Sequence, residues 1–277
     1  NCPPPPSCED ICVERATGES RVVTRWPEGK RYAFILTYDV DSPWIYQDKN
    51  LDRFLDLEER AGVRGAWYFV ANLYRHDFAC MDRLAASGHE IGLHGDNHDH
   101  KIAFLSEAGM RRRLDGCRPL IERYGMIGFR SPHYLRTPGF YRVLRDYVRY
   151  DTSMHDSINR TSQGGLYREG CSTVLPFALS DEPDPLVELP ITIPEDYEVF
   201  DPERGASSIV EAQLKQIEEV KRRGGLATVV VHPEPNFTGR PQLAEALEEV
   251  LRTVSRDPEA WIAMPRDVYA RWAEKRR

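Results

Sequence analysis

Tyr32-Ala33-Phe34-Ile35-Leu36-Thr37-Tyr38-Asp39-Val40-Asp41 is an apolar run that ends on two carboxylates. Side chains at i and i+2 of an extended segment share a face. Asp39 and Asp41 therefore aim together from the end of what reads as a buried strand. Buried carboxylates are costly unless a cation or hydrogen bonds satisfy them. Aspartate also closes strands simply by capping the turn that follows, so the weight rests on the rest of the chain.

Short apolar runs of the same kind recur at 65–70, 90–93, 127–129, 186–189 and 226–231. Between them, Leu51, Phe54, Leu55, Leu57 and Glu58 have helical spacing, as do Leu114, Leu120 and Ile121. Residues 207–223 and 241–254 continue the pattern, the first stopped by Gly224-Gly225. Strand and helix alternating this often argue for a parallel sheet in one α/β domain. Asp39, Asp41, His94, Arg130 and His232 sit just past strand ends, where both barrels and open sheets build their sites. No G-x-G-x-x-G follows the first strand, which disfavours a dinucleotide fold. The expectation is a distorted (β/α) barrel with fewer than eight units, occupying residues 30–277. Residues 1–29, rich in cysteine and proline, form an N-terminal extension in which Arg21-Val22-Val23 is strand-like. Residues 152–185, polar and proline-punctuated, read as a loop beside the site.

Bulk properties narrow the partners. The 277 residues are 41% hydrophobic and 29% charged, with a net charge of −7. An acidic chain without a basic tract is not expected to bind nucleic acid through its phosphates. No apolar run approaches the roughly 20 residues that span a bilayer. Asn1-Cys2-Pro3-Pro4-Pro5-Pro6 reads as neither a signal peptide nor an anchor. Cys2, Cys8 and Cys12 cluster around that proline run, where a local disulfide or free thiols are expected ahead of a zinc site. Cys80, Cys117 and Cys171 are scattered. The compartment is left open.

The loop His94-Gly95-Asp96-Asn97-His98-Asp99-His100 places two histidines four apart, a spacing at which both can reach one metal across a turn. With one carboxylate they make a zinc-type donor set that keeps positions open. His89 and His100 lie outside that spacing and read as bystanders. Arg130, after Gly128-Phe129, can grip a carboxylate bidentately. His232, after Val229-Val230-Val231, has the ordinary pKa for delivering a proton near neutrality.

Taken in order, these segments resemble the polysaccharide deacetylase family, metal-dependent carbohydrate esterases. Thr37-Tyr38-Asp39-Val40-Asp41 resembles its first motif in a D-x-D form, and Gly65-Ala66-Trp67-Tyr68-Phe69-Val70 its second strand. Gly88-His89-Glu90-Ile91-Gly92-Leu93-His94 through His98 resembles the metal motif, Phe129-Arg130-Ser131-Pro132 the third motif and Val231-His232-Pro233 the last. Tyr150-Asp151-Thr152-Ser153 and Glu188-Leu189-Pro190 look like segments of the D-x-D subgroup. The resemblance implies a barrel of about seven strands. It also implies Asp39 as general base with Arg130 as its partner, and Asp41, His94 and His98 as ligands of one divalent ion. That ion is expected to be zinc, with cobalt, nickel or manganese as alternatives. His232 would be the general acid, and the His133 N–H, after Pro132 and beside Tyr134, the oxyanion donor. The family's acid-tuning aspartate has no obvious counterpart; Asp151 or Asp156 is expected to serve.

The expected activity is removal of N-acetyl or O-acetyl groups from an amino sugar in a polysaccharide or glycan precursor. A cyclic amide or imide hydrolase of the allantoinase type shares the D-x-D scaffold and is the alternative. A glycan- or metal-binding module without catalysis is the third reading, weakened by the presence of both Asp39 and His232. Trp44, Tyr46, Tyr134 and Tyr167 are candidates for stacking on sugar, and Val230 for the acetyl pocket.

Overall fold

The computed structural model describes residues 13–16, 19–22, 26–156, 159–160, 166–167 and 170–275. Most of the expected extension, with Cys2, Cys8 and Cys12, lies outside them. Val13–Ala16 pairs antiparallel with Glu19–Val22, so Arg21 and Val22 are indeed in a strand.

Strand β1 (Tyr32–Val40) is buried along all nine residues, and its two faces meet different cores. Tyr32, Phe34, Leu36, Tyr38 and Val40 pack into the large core shared with the helices. Ala33 and Ile35 join Ala66, Tyr68, Tyr150, Val187, Leu189 and Leu226 in a second, smaller one. A strand buried this way belongs to a sheet with helices outside and its own curl inside. The period of two carries Thr37 and Asp39 along the inner face with Ala33 and Ile35.

The sheet adds β2 (Gly65–Phe69), β3 (Glu90–Leu93), β4 (Gly128–Phe129), β5 (Tyr150–Asp151), β6 (Phe177–Ala178), β7 (Val187–Glu188), β8 (Leu226–Val231) and β9 (Ala260–Ile262). Its order is β6-β7-β5-β4-β3-β2-β1-β8, with β9 pairing the start of β1. Every pairing is parallel except β6–β7. Among the described residues this sheet has nine strands where about seven were expected; β5, β6 and β9, two or three residues each, are too short to show a period and were not among the apolar runs. The strand β6 falls in the segment expected to be loop.

The result is a half-barrel. Irregular backbone spans the gap: Leu226 N–H donates to Val174 O at 2.7 Å and Ile193 N–H to Thr228 O at 3.2 Å. Gly225 permits this approach, since a Cβ there would lie 2.5 Å from Val174 Cγ2. Inside, a Cβ on Gly128 would stand 2.1 Å from the Tyr150 hydroxyl. Tyr150 donates to Glu90 at 2.6 Å, and its hydroxyl lies 3.0 Å from that of Tyr68.

Helices α1 (Asn50–Ala61), α2 (Phe78–Ala86), α3 (Glu107–Asp115), α4 (Arg118–Tyr124), α5 (Pro138–Leu144), α6 (Asp196–Val199), α7 (Ala206–Arg222), α8 (Pro241–Ser255) and α9 (Pro265–Lys275) complete the chain. Expectations hold for α1, α7 and α8. The stripe through Leu114, Leu120 and Ile121 is cut in two at Gly116-Cys117, since Pro119 restarts the helix near the N-terminus of α4. Val268, Tyr269 and Trp272 of α9 pack on the inner core with Trp26. Among the described residues Cys80, Cys117 and Cys171 are free thiols, and no helix is long and apolar enough to cross a membrane.

Candidate active site

Arg130 follows β4 and is fully buried. A guanidinium in that position must spend its donors inside the protein. Nη1 donates to Asp39 Oδ1 and Thr37 Oγ1, both at 2.9 Å. Nε donates to Thr152 O at 2.8 Å and Nη2 to Thr152 Oγ1 at 3.1 Å, while the Tyr68 ring lies 5.1 Å beneath. Asp39 is thereby fixed at the rim of the inner face with Oδ2 turned towards His94, 3.9 Å from Nε2.

Asp41, His94 and His98 converge one step outward. Asp41 Oδ1 lies 3.2 Å from Nε2 of both histidines, yet without hydrogen-bond geometry to either, and is buried. His94 Nδ1 is 2.9 Å from Arg130 O. That contact suits an Nδ1–H donor and leaves Nε2 with its lone pair towards Asp41. Burial would raise the Asp41 carboxyl, but its contacts with His94 and His98 outweigh burial and hold it well below the usual range. Burial likewise disfavours a charged His94, and the Asp39 and Asp41 charges overcome it and raise its pKa. The pocket thus calls for positive charge at the point where three lone-pair donors meet. That demand, and the orphaned Oδ1 between two ring nitrogens, fit a divalent cation.

His98 has a left-handed backbone, φ +57°. Gly95 before it, at φ +72°, also lets Pro132 close in, to 2.9 Å from where a Cβ would stand. Pro132 begins a short turn in which His133 and Tyr134 have φ +51° and +58°. Tyr134 N–H donates to Ser131 O and Leu135 N–H to Pro132 O, and the intervening His133 N–H has no acceptor among the described residues.

On the far side stands His232, after β8, with Nδ1 3.5 Å from Glu195 Oε2. Glu195 is wholly buried, accepts a 2.6 Å hydrogen bond from the Tyr134 hydroxyl, and lies 3.8 Å from His155 Nε2. Burial would raise its carboxyl; His155, His232 and Tyr134 together lower it instead. The carboxylate ion-paired with His232 is thus that of Glu195. Asp151 accepts from the Ser153 hydroxyl at 2.7 Å and the Tyr141 hydroxyl at 3.0 Å. It pairs with Glu188, burial holding both carboxyls above their ordinary range. Asp156 uses its backbone to bond Ile191 and Ser172.

Two further acidic residues frame the site. Glu188 Oε1 accepts from the N–H groups of Ser153 and Met154 at 3.0 and 2.8 Å. Glu234 Oε1 accepts from the N–H groups of Asp41 and Ser42 at 2.9 and 3.2 Å, and burial with the Asp41 charge pushes its carboxyl up to about 7. Neither Glu195 nor Glu234 was legible as a site residue. Glu195 comes from the irregular backbone that spans the gap in the sheet, where periodicity carries no signal. Glu234 stands two positions past His232, which alone could have flagged it. Among the aromatics, Tyr46 lies parallel to Phe69 at 6.2 Å with its hydroxyl 3.1 Å from His76, and Tyr134 is committed to Glu195. The Tyr167 side chain lies outside the described residues.

The polysaccharide deacetylase family model matches residues 27–152. Among solved structures, the chain is similar to a protein described as a polysaccharide deacetylase from Mycobacterium smegmatis. They share 21% identity over 91% of this chain and 93% of that one, with a TM-score of 0.71. Puue allantoinase matches at 16% identity over 90% and 93%, TM-score 0.70. Peptidoglycan deacetylase PdaC of Bacillus subtilis matches at 14% over 90% and 95%, TM-score 0.55. At these identities the likeness is one of fold. No curated protein matches the sequence significantly.

Proposed function

We propose, on the premise that residues 27–152 carry a polysaccharide deacetylase domain, that residues 30–277 form a divalent-metal-dependent hydrolase. It would remove acetyl groups, chiefly N-acetyl, from an amino sugar in a polysaccharide or glycan precursor. One observation carries the reading. Asp39 and Asp41 both point at Nε2 of His94, but only Asp39 is also held by Arg130. Two carboxylates one residue apart are thus given different work.

Asp41, His94 and His98 would hold the ion; a carboxylate and two imidazoles suit zinc, with cobalt, nickel or manganese as alternatives. When bound, the ion supplies Lewis-acid polarisation of the scissile carbonyl. Asp39, with Oδ1 tied to Arg130, takes the proton of the attacking water on Oδ2. The His133 N–H donates to the carbonyl oxygen as negative charge builds there. His232, steadied by Glu195, passes a proton to the departing nitrogen, which leaves poorly as an unprotonated amide. Residues 1–29 would be an appended extension without a part in this chemistry.

The test is acetate release by the zinc-loaded protein from N-acetylated monosaccharides, chito-oligomers, nucleotide sugars and O-acetylated glycans, with hydantoin-type rings beside them. Metal-dependent acetate release from a sugar is expected. Ring opening without any acetate release would overturn the deacetylase reading in favour of cyclic amide hydrolysis.

A further inference from the structure

We propose that His98, His100 and His133 form a second divalent-cation site at the mouth of the first, and that the two sites compete for His98. The inference rests on reading Asp41, His94 and His98 as the inner site. One ring nitrogen from each of the three histidines lies within 4.8 Å of the others. The rings of His100 and His133 stand 3.9 Å apart, those of His98 and His100 5.3 Å, and those of His98 and His133 5.6 Å. Zinc with Zn–N bonds of about 2.1 Å spaces its nitrogens by roughly 3.4 Å. His100 and His133 are exposed, so small rotations of their side chains suffice to complete the set.

The backbone points the same way. His98, His100 and His133 all adopt left-handed φ, +57°, +62° and +51°. Left-handed backbone is uncommon outside glycine and clusters at sites where the surrounding structure over-determines it. Three from two separate loops turn their rings to one point. His100, a bystander by its spacing in the sequence, belongs to this cluster.

The donor set defines the cation. Three imidazoles without a carboxylate suit zinc, copper or nickel and disfavour magnesium, calcium or manganese. Sharing His98 sets the consequence. A neutral imidazole offers one lone pair, its other nitrogen carrying a proton, and His98 Nε2 already faces Asp41 at 3.2 Å. An ion at the outer site therefore draws His98 from the inner one. It also grips the side chain of the residue whose N–H faces the substrate carbonyl. Both effects lower turnover when borderline metals are in excess.

Equilibrium dialysis of the full chain against rising free zinc, with elemental analysis, tests this alongside cobalt(II) absorption spectra. Wild-type protein is expected to take up a second, weaker equivalent with its own cobalt spectral component, while turnover falls several-fold. His100→Gln should keep the first equivalent, lose the second, and blunt the inhibition. Magnesium should produce neither effect. A second equivalent that persists in His100→Gln, or wild-type protein that stops at one ion up to millimolar zinc, would overturn the outer site. Asp41→Asn separates the two readings. If the protein's one ion survives Asp41→Asn but is lost in His100→Gln, the inner assignment fails and the outer one stands.

Discussion

Asp39 and Asp41 differ in what holds them, and that difference predicts separable losses. Asp39→Asn keeps the shape beside Arg130 but removes the proton acceptor, so the ion should stay while turnover falls by roughly 10²–10⁴. Asp41→Asn removes the one carboxylate that faces both His94 and His98, so metal content should fall first. Elemental analysis beside turnover distinguishes them, and a reversed pattern would exchange the two roles. Glu195→Gln keeps an acceptor for Tyr134 but removes the charge beside His232. Turnover on an amide should fall about tenfold or more, with much less effect on an ester whose leaving group needs no proton. Equal losses on both substrates would mean that Glu195 only packs.

The stretch after β5 shows how one short element serves several functions. Thr152 gives its carbonyl and hydroxyl to Arg130; the Ser153 hydroxyl accepts from Ser131 N–H at 2.8 Å and donates to Asp151. Arg130, and through it Asp39, is therefore steadied from the same support as the turn carrying His133. Ser153→Ala leaves Ser131 N–H buried without its acceptor, a loss of about 1–3 kcal/mol. The expected reading is a lower melting temperature and lower turnover with metal content unchanged. Much of this was legible beforehand: the alternating runs announced the parallel sheet, and Asp39, Asp41, His94, His98, Arg130 and His232 lie together at strand ends. Those residues follow strands long enough to show a pattern or stand in ordered motifs. Asp151 and Glu188 stood in motif-like segments, but their buried pairing, and the place of Glu195, were not legible, because a pairing between separate strands marks neither sequence and irregular backbone has no period. A carboxyl held by burial and pairing also looks like any other acid in a sequence.

At the scale of the whole molecule, buried acids outside the cluster of Asp41, His94 and His98 bear on how stability varies with pH. Burial pushes Glu58 up to about 8, against the lowering influence of Tyr38 and Arg64, and Glu90 up to about 7, against Tyr150 and Arg266. Unfolded glutamate titrates near 4.3. Between those limits the native protein binds more protons than the unfolded chain, so stability falls as pH rises from about 5 to 8. Melting temperatures across that range should decline, and Glu58→Gln should flatten the decline; an unchanged slope would remove Glu58 from the account. Arg130 acts at the same scale. Its guanidinium reaches from the end of β4 to Thr37 and Asp39 on β1, and back to Thr152 after β5, with β2 and β3 lying between. It is a chord drawn across an arc, and the length of a chord fixes the radius. Lysine there could neutralise Asp39 but, lacking the planar fork, could not hold every anchor. The arc would then be free to widen while the ion pair endured, carrying Asp39 and its neighbour Asp41 together away from His94.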